Sequence, residues 1–93
     1  MSLKIFLQQH ERIKEARKRI KEDYFNRTLD LSELGLEWIP DEISELSDLM
    51  ELFLNSNQLT VIPEEICNLF NLQGLYLDFN QLRDVRENKV PIT

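Results

Sequence analysis

Cysteine, histidine, glycine and long apolar runs are all scarce in this 93-residue chain, and each scarcity removes a class of protein. The single cysteine, Cys67, has no internal disulfide partner, so the fold must rest on packing and hydrogen bonds. A lone thiol also fits a reducing, cytoplasmic setting. The apolar start at residues 1–7 is too short for a signal peptide, with charge returning at Glu11. No apolar run approaches the ~18 residues that a membrane span needs. The one histidine, His10, is far from Cys67 in sequence, and the two glycines, Gly35 and Gly74, stand alone. A nucleophile–base pair, a metal-ligand cluster and a phosphate-cradling loop are therefore all missing. The chain is expected to be a non-enzyme with no cofactor and no metal.

Positive charge is missing from one long stretch. Residues 28–82 hold eleven acids and no Lys or Arg, whereas residues 1–27 hold eight basic residues against four acids. Overall the net charge is −6. An acidic surface disfavours nucleic acid and anionic membrane and favours a protein partner with a basic surface. Solubility alone is the competing account of the acids.

What the chain does have is a repeat. Residues 49–69 place Leu49, Leu52, Leu54, Asn57, Leu59, Ile62, Pro63, Ile66 and Leu69 in fixed positions. The pattern returns one period later, from Leu49 to Leu72, as Leu72, Leu75, Leu77, Asn80, Leu82 and Val85. One period earlier, at the same spacing, it reads Leu29, Leu31, Leu36, Ile39, Pro40, Ile43 and Leu46. Leu52 and Leu54 are two apart, so they share one side of a short strand and Phe53 takes the other. A fixed period then stacks one strand per repeat into a parallel sheet. Asn57 and Asn80 fall where the chain leaves the strand, where an amide can serve both backbone donors and acceptors. Pro40 and Pro63, each followed by two acids, suit the start of a short return helix over residues 41–46 and 64–69.

These residues identify a leucine-rich repeat pattern. The stretch from residue 26 to 85 resembles the 23-residue intracellular class that includes Ras-suppressor and Scribble-like proteins, plant intracellular Ras-group repeats, and many bacterial and Roco-type repeats. The resemblance implies an α/β solenoid, a short right-handed superhelix of about two and a half repeats, that binds protein on its concave sheet. The repeats divide as 26–48, 49–71 and an incomplete 72–93. Asn26 stands in place of a leucine and Leu34 in place of an asparagine in the first repeat. Arg86 and Lys89 replace the proline and isoleucine of the third, with Val85, Val90 and Ile92 left as a makeshift cover.

Residues 1–25 read as an amphipathic helix capped by Ser2, with Leu3, Phe6, Ile13, Ala16, Ile20 and Tyr24 on one face. It is expected to cap the first repeat, since a repeat array needs its terminal apolar edge covered. A basic surface helix and a dimerising helix are the rivals, and Ile5 and Leu7 widen the stripe beyond what a cap needs. Outward strand positions form rows, among them Asp30–Phe53–Tyr76. The candidate protein-binding residues are Asp30, Glu51, Phe53, Asn55, Tyr76 and Asp78, an aromatic pair with an acidic rim. Cross-strand stacking is the plainer use of the two rings. Phe70 and Phe79 are expected to pack in turns, and Trp38 on the convex side. Two outcomes follow for assembly: a concave-face protein module, or a segment of a larger repeat scaffold that self-associates weakly, as a homodimer, through its open C-terminal edge.

Overall fold

The computed structural model of the chain describes residues 2–83, the side chain of residue 6 aside. A first helix, α1 (Leu3–Glu22), contains no glycine or proline to interrupt it. Ser2 caps it, its Oγ accepting from the Ile5 N–H at 3.2 Å. Arg19 and Lys21 in the last turn suit the negative end of the helix dipole. The buried stripe is Gln9, Ile13, Ala16 and Ile20, with Tyr24 half-buried just past the end. Leu3, expected on that stripe, is 72% exposed, and Ile5 and Leu7 are exposed too. The reason is reach: Gln9 and Arg12 already contact the far turn of the first repeat at Gly35, so earlier residues lie beyond it.

The chain leaves α1 through a two-residue hairpin. Phe25 and Thr28 exchange N–H···O bonds of 3.2 and 3.0 Å, and Asn26 and Arg27 both have positive φ, 53° and 61°. This tight reversal matches the right-handed twist of the strands and favours Asn-Gly. Asparagine tolerates the left-handed region well, and arginine adopts it at a steric cost. Arg27→Gly is therefore expected to stabilise the fold by about 0.5–1 kcal/mol, the relieved backbone strain less the added entropy of the unfolded chain. A denaturant midpoint that fails to rise would show the turn to be relaxed.

Three strands follow, β1 (Thr28–Asp30), β2 (Glu51–Phe53) and β3 (Gly74–Tyr76), in a parallel sheet of order β1-β2-β3. Thr28 pairs with Glu51 and Glu51 with Gly74, so each layer advances by one full period of the sequence repeat. The backbone stays stacked beyond the strands, with Leu31 N–H donating to the Phe53 carbonyl at 2.8 Å and Leu54 N–H to the Tyr76 carbonyl at 2.9 Å. Leu29, Leu31, Leu36, Leu52, Leu54 and Leu59 are completely buried between the strands and the return segments.

The return segments are short helices of the 3₁₀ type, Asp41–Glu45 and Glu64–Asn68, one residue shorter than the expected 41–46 and 64–69. Ile43 N–H donates to the Pro40 carbonyl at 3.2 Å and Ile66 N–H to the Pro63 carbonyl at 3.1 Å. A 3₁₀ turn rises ~2.0 Å per residue against ~1.5 Å for an α-helix, so five residues carry the chain further back towards the next strand. Ile43 and Ile66 point into the core, and Pro40 is buried beside them.

Where the chain leaves each strand it passes through the left-handed region, at Glu33 (φ 59°), Ser56 (φ 60°) and Phe79 (φ 61°), at one phase of the repeat. None is glycine. Phe79 and Phe70 are 83% and 87% exposed, which corrects the expectation that they pack in turns; Phe79 stands on the outside of its turn. Trp38 is 49% exposed. In the third layer Leu72, Leu75, Leu77 and Leu82 are only half-buried. The expected return and cover at Val85, Arg86, Lys89, Val90 and Ile92 lie outside the described residues.

Candidate functional site

The outward face of the sheet is a three-by-three array set by the strand register. Its rows read Thr28–Glu51–Gly74, Asp30–Phe53–Tyr76 and, one step past the strands, Ser32–Asn55–Asp78. Neighbouring strands lie ~4.8 Å apart, close enough for side chains in one row to touch. Phe53 and Tyr76 do so: their ring centroids are 4.5 Å apart and the planes 7° from parallel. Phe53 is half-buried and Tyr76 is 43% exposed, so the stack both joins two strands and presents apolar surface to solvent. Both uses of the rings are compatible.

The acids around the stack differ in kind. Asp30 is exposed; its Oδ1 accepts from the Ser32 N–H at 2.8 Å and the Ser32 hydroxyl at 2.5 Å. Asp78 is exposed and Asn55 half-buried. Glu51, read from sequence as a rim acid, is half-buried, with Oε2 fully buried and without a hydrogen-bond partner. Gly74 makes this possible, because a Cβ there would overlap the Glu51 carboxylate. The Tyr76 hydroxyl is held above the usual phenol range by hydrogen bonding to Glu51 and by its charge.

Below this face the asparagines tie the layers together. Asn57 is buried; its Oδ1 accepts from Leu34 N–H (3.1 Å) and Leu36 N–H (3.0 Å), and its Nδ2 donates to the carbonyls of Leu31 and Leu54, both at 3.0 Å. Asn80 repeats the set one layer on, accepting from Leu59 N–H at 3.0 Å and donating to Leu54 (2.9 Å) and Leu77 (3.0 Å). Each asparagine thus reaches back to the preceding layer. Leu34, in the same place of the first repeat, has no preceding layer to reach.

The side of that first repeat is bonded by α1 instead. Gln9 Nε2 donates to the Gly35 carbonyl at 3.1 Å, and Gln9 Oε1 accepts from Glu37 N–H at 3.3 Å. Arg12 Nη1 donates to the same Gly35 carbonyl at 3.1 Å. Gly35 has φ 69° and a Cβ there would crowd the Arg12 guanidinium, so this glycine serves both conformation and contact. These roles were missed in sequence, although Gln9 lies four residues before Ile13 on the buried stripe. Arg17 pairs with Glu42 at 3.0 Å, and Arg19 with Glu15 at 3.2 Å and with the Asp30 carbonyl at 3.1 Å. The Glu42 carboxyl is held below its ordinary value, first by its own backbone N–H and then by Arg17. Three of the helix's basic residues are thus committed to holding it against the acidic repeats.

The Tyr24 hydroxyl donates to the Asp48 carboxylate. Burial, then this bond, pushes the phenol pKa up from 10.0 to about 12. Since the folded state prefers the protonated phenol, its contribution is whole below pH 10 and is lost as pH climbs through about 12. The wild type is expected to lose stability over that window more steeply than Tyr24→Phe, in melts taken at stepped pH. Parallel curves would show the contact to be absent in solution.

Cys67 is half-buried. Among the described residues no group of three His, Cys, Asp or Glu side chains could hold a metal ion, and no helix is long and apolar enough to cross a membrane. The family model described as leucine rich repeat matches residues 27–82, which is more than half of the chain. No curated protein matches it.

Proposed function

Because the chain belongs to the leucine-rich repeat proteins, a family that generally mediates protein–protein interaction, we propose that it is a non-enzymatic interaction module. In this reading residues 26–93 form a short solenoid of the 23-residue class, residues 1–25 cap it, and the partner lies on the concave sheet. The observation that carries the reading is the stacked Phe53–Tyr76 pair standing on a face whose only charges are acidic. Asp30, Glu51, Asn55 and Asp78 would frame a contact with a basic protein surface; nucleic acid and anionic membrane would be repelled. A cytoplasmic location fits the lone cysteine.

The experiment is affinity capture with the intact protein beside Phe53→Ala/Tyr76→Ala. The double variant is expected to stay folded, since a stacked pair is worth only ~0.5–1.5 kcal/mol beyond area, and to lose its partner, because central aromatic anchors often cost ~2 kcal/mol or more on truncation. Rising salt should weaken capture. Full capture by the double variant would move the interface elsewhere, with Trp38 the next candidate.

A second reading rests on the half-buried leucines of the third layer. The β3 edge would then take a further layer, either another repeat of a larger scaffold or a second copy of this chain as a weak homodimer. Pairing would bring two acidic surfaces together, so salt should strengthen it. Sedimentation at several concentrations and two salt levels tests this, and a monomer throughout would end it.

A further inference from the structure

We propose that the concave face takes an arginine side chain of its partner as a third plate on the aromatic stack, seated on Phe53 above Asp30. This rests on the concave-face reading and adds the chemistry that the face selects.

The stack runs across the strands, along the row Asp30–Phe53–Tyr76. Its rings are nearly parallel and 4.5 Å apart, close to the spacing of the strands themselves. One face of Phe53 is covered by Tyr76. Its second face is turned along the same row towards β1, where the row holds no ring but Asp30. The row is therefore one flat group short at a place marked by a carboxylate. Asp30 is already oriented there, because Ser32 engages its Oδ1 twice and leaves the second oxygen for an incoming donor.

A guanidinium matches this place in shape and charge. It is planar, so it continues a stack of plates, and it carries donors at its edge for a carboxylate beside it. An ammonium can also sit over a ring, but as a point charge it neither continues a stack of plates nor presents a planar fork of donors. Among the described residues no cation bonds to the Asp30 carboxylate. Residues 28–82 contain none, and Arg19, which comes to the same strand, is bound to the Asp30 carbonyl and to Glu15. That carbonyl points to the β1 edge away from β2, since Leu31 and not Asp30 bonds across to β2.

The test uses the full chain with two six-residue probes, hexa-arginine and hexa-lysine, titrated while backbone amides are followed by NMR. Hexa-arginine is expected to bind about threefold tighter or more, since planar stacking and paired donors add to the cation–π contact that both peptides can make, with the largest shifts at Asp30 and Phe53. Phe53→Leu keeps an apolar side chain at a half-buried position, and Asp30→Asn keeps the oxygen that Ser32 binds. Each is expected to erase the preference for arginine while leaving amide dispersion intact and hexa-lysine binding weakened only modestly. Equal affinity for the two peptides, with shifts still centred on the three strands, would overturn the arginine plate and leave the acidic concave face standing. Shifts confined to other acids, such as Glu64 and Glu65, would overturn both.

Discussion

Asn57→Leu is expected to lower the unfolding free energy by roughly 3–6 kcal/mol, the sum over several buried groups that each lose a partner. Leucine shares asparagine's branched four-heavy-atom skeleton but has no polar atoms, so the main loss is one of hydrogen bonding. Asn57 serves the buried Leu36 N–H and the Leu31 carbonyl, with Leu34 N–H as a third group that depends on it, while the Leu54 carbonyl keeps the Asn80 amide as a partner. Each buried group left unpaired costs ~1–3 kcal/mol, and water cannot reach them between two leucine layers. A domain of this size has only about 5–15 kcal/mol in hand. Asn80→Leu should cost less, because Asn80 is only half-buried and its bonds to Leu59 and Leu77 are partly open to solvent. The check is the denaturant midpoint of both variants. An unchanged midpoint for Asn57→Leu, or a larger loss at Asn80, would mean that the amide ladder is not what holds the layers.

Removal of residues 1–23 is expected to abolish cooperative folding. Ile13, Ala16 and Ile20 cover the flank of the first layer, where Leu29, Leu31, Leu36 and Ile43 are completely buried. The same cut strips the donors and acceptors that Gln9, Arg12 and Arg19 bring to the Gly35 turn and the β1 edge. A repeat array without its terminal cover exposes a continuous apolar edge and aggregates. Ile13→Ala alone should cost ~2–5 kcal/mol by leaving a cavity at a position that is 2% exposed. Circular dichroism melts and sedimentation would read both variants. A truncated chain that stays monomeric and melts sharply would show that the helix is a separable element, free to serve a partner.

The helix is also where charge placement acquires a structural meaning. From sequence the helix is expected to cover the first repeat, with a basic surface helix as a rival. Arg12, Arg17 and Arg19 reach the repeat at the Gly35 carbonyl, Glu42 and the Asp30 carbonyl, and Arg19 also pairs with Glu15 on its own helix. Exposed ion pairs of this kind each contribute little. They reinforce the orientation that the buried Ile13, Ala16 and Ile20 already give the helix.

The layered architecture was legible in the amino-acid order, because every layer imposes one demand on the side chains that meet in it. Strand partners need leucines two apart, and the turn beneath needs an amide, so a fixed period carries register, sheet direction and the place of Asn57 and Asn80. Ile43 and Ile66 followed from the same period. What the periodicity does not carry are contacts made once. The Gln9–Gly35–Arg12 junction joins residues more than twenty positions apart across two different kinds of element, and nothing in the repeat announces it. Glu51 looked like a rim acid until Gly74, in the next layer, left room for its carboxylate to lie down. The left-handed backbone at Glu33, Ser56 and Phe79 is imposed on ordinary residues by the pairing on either side, so composition does not mark it. The 3₁₀ returns arise from the distance that five residues must span. Local periodicity determined the layers; tertiary closure, which sets distances between non-repeating neighbours, decided the helix junction, the seat of Glu51 and the shape of the outward face of the sheet.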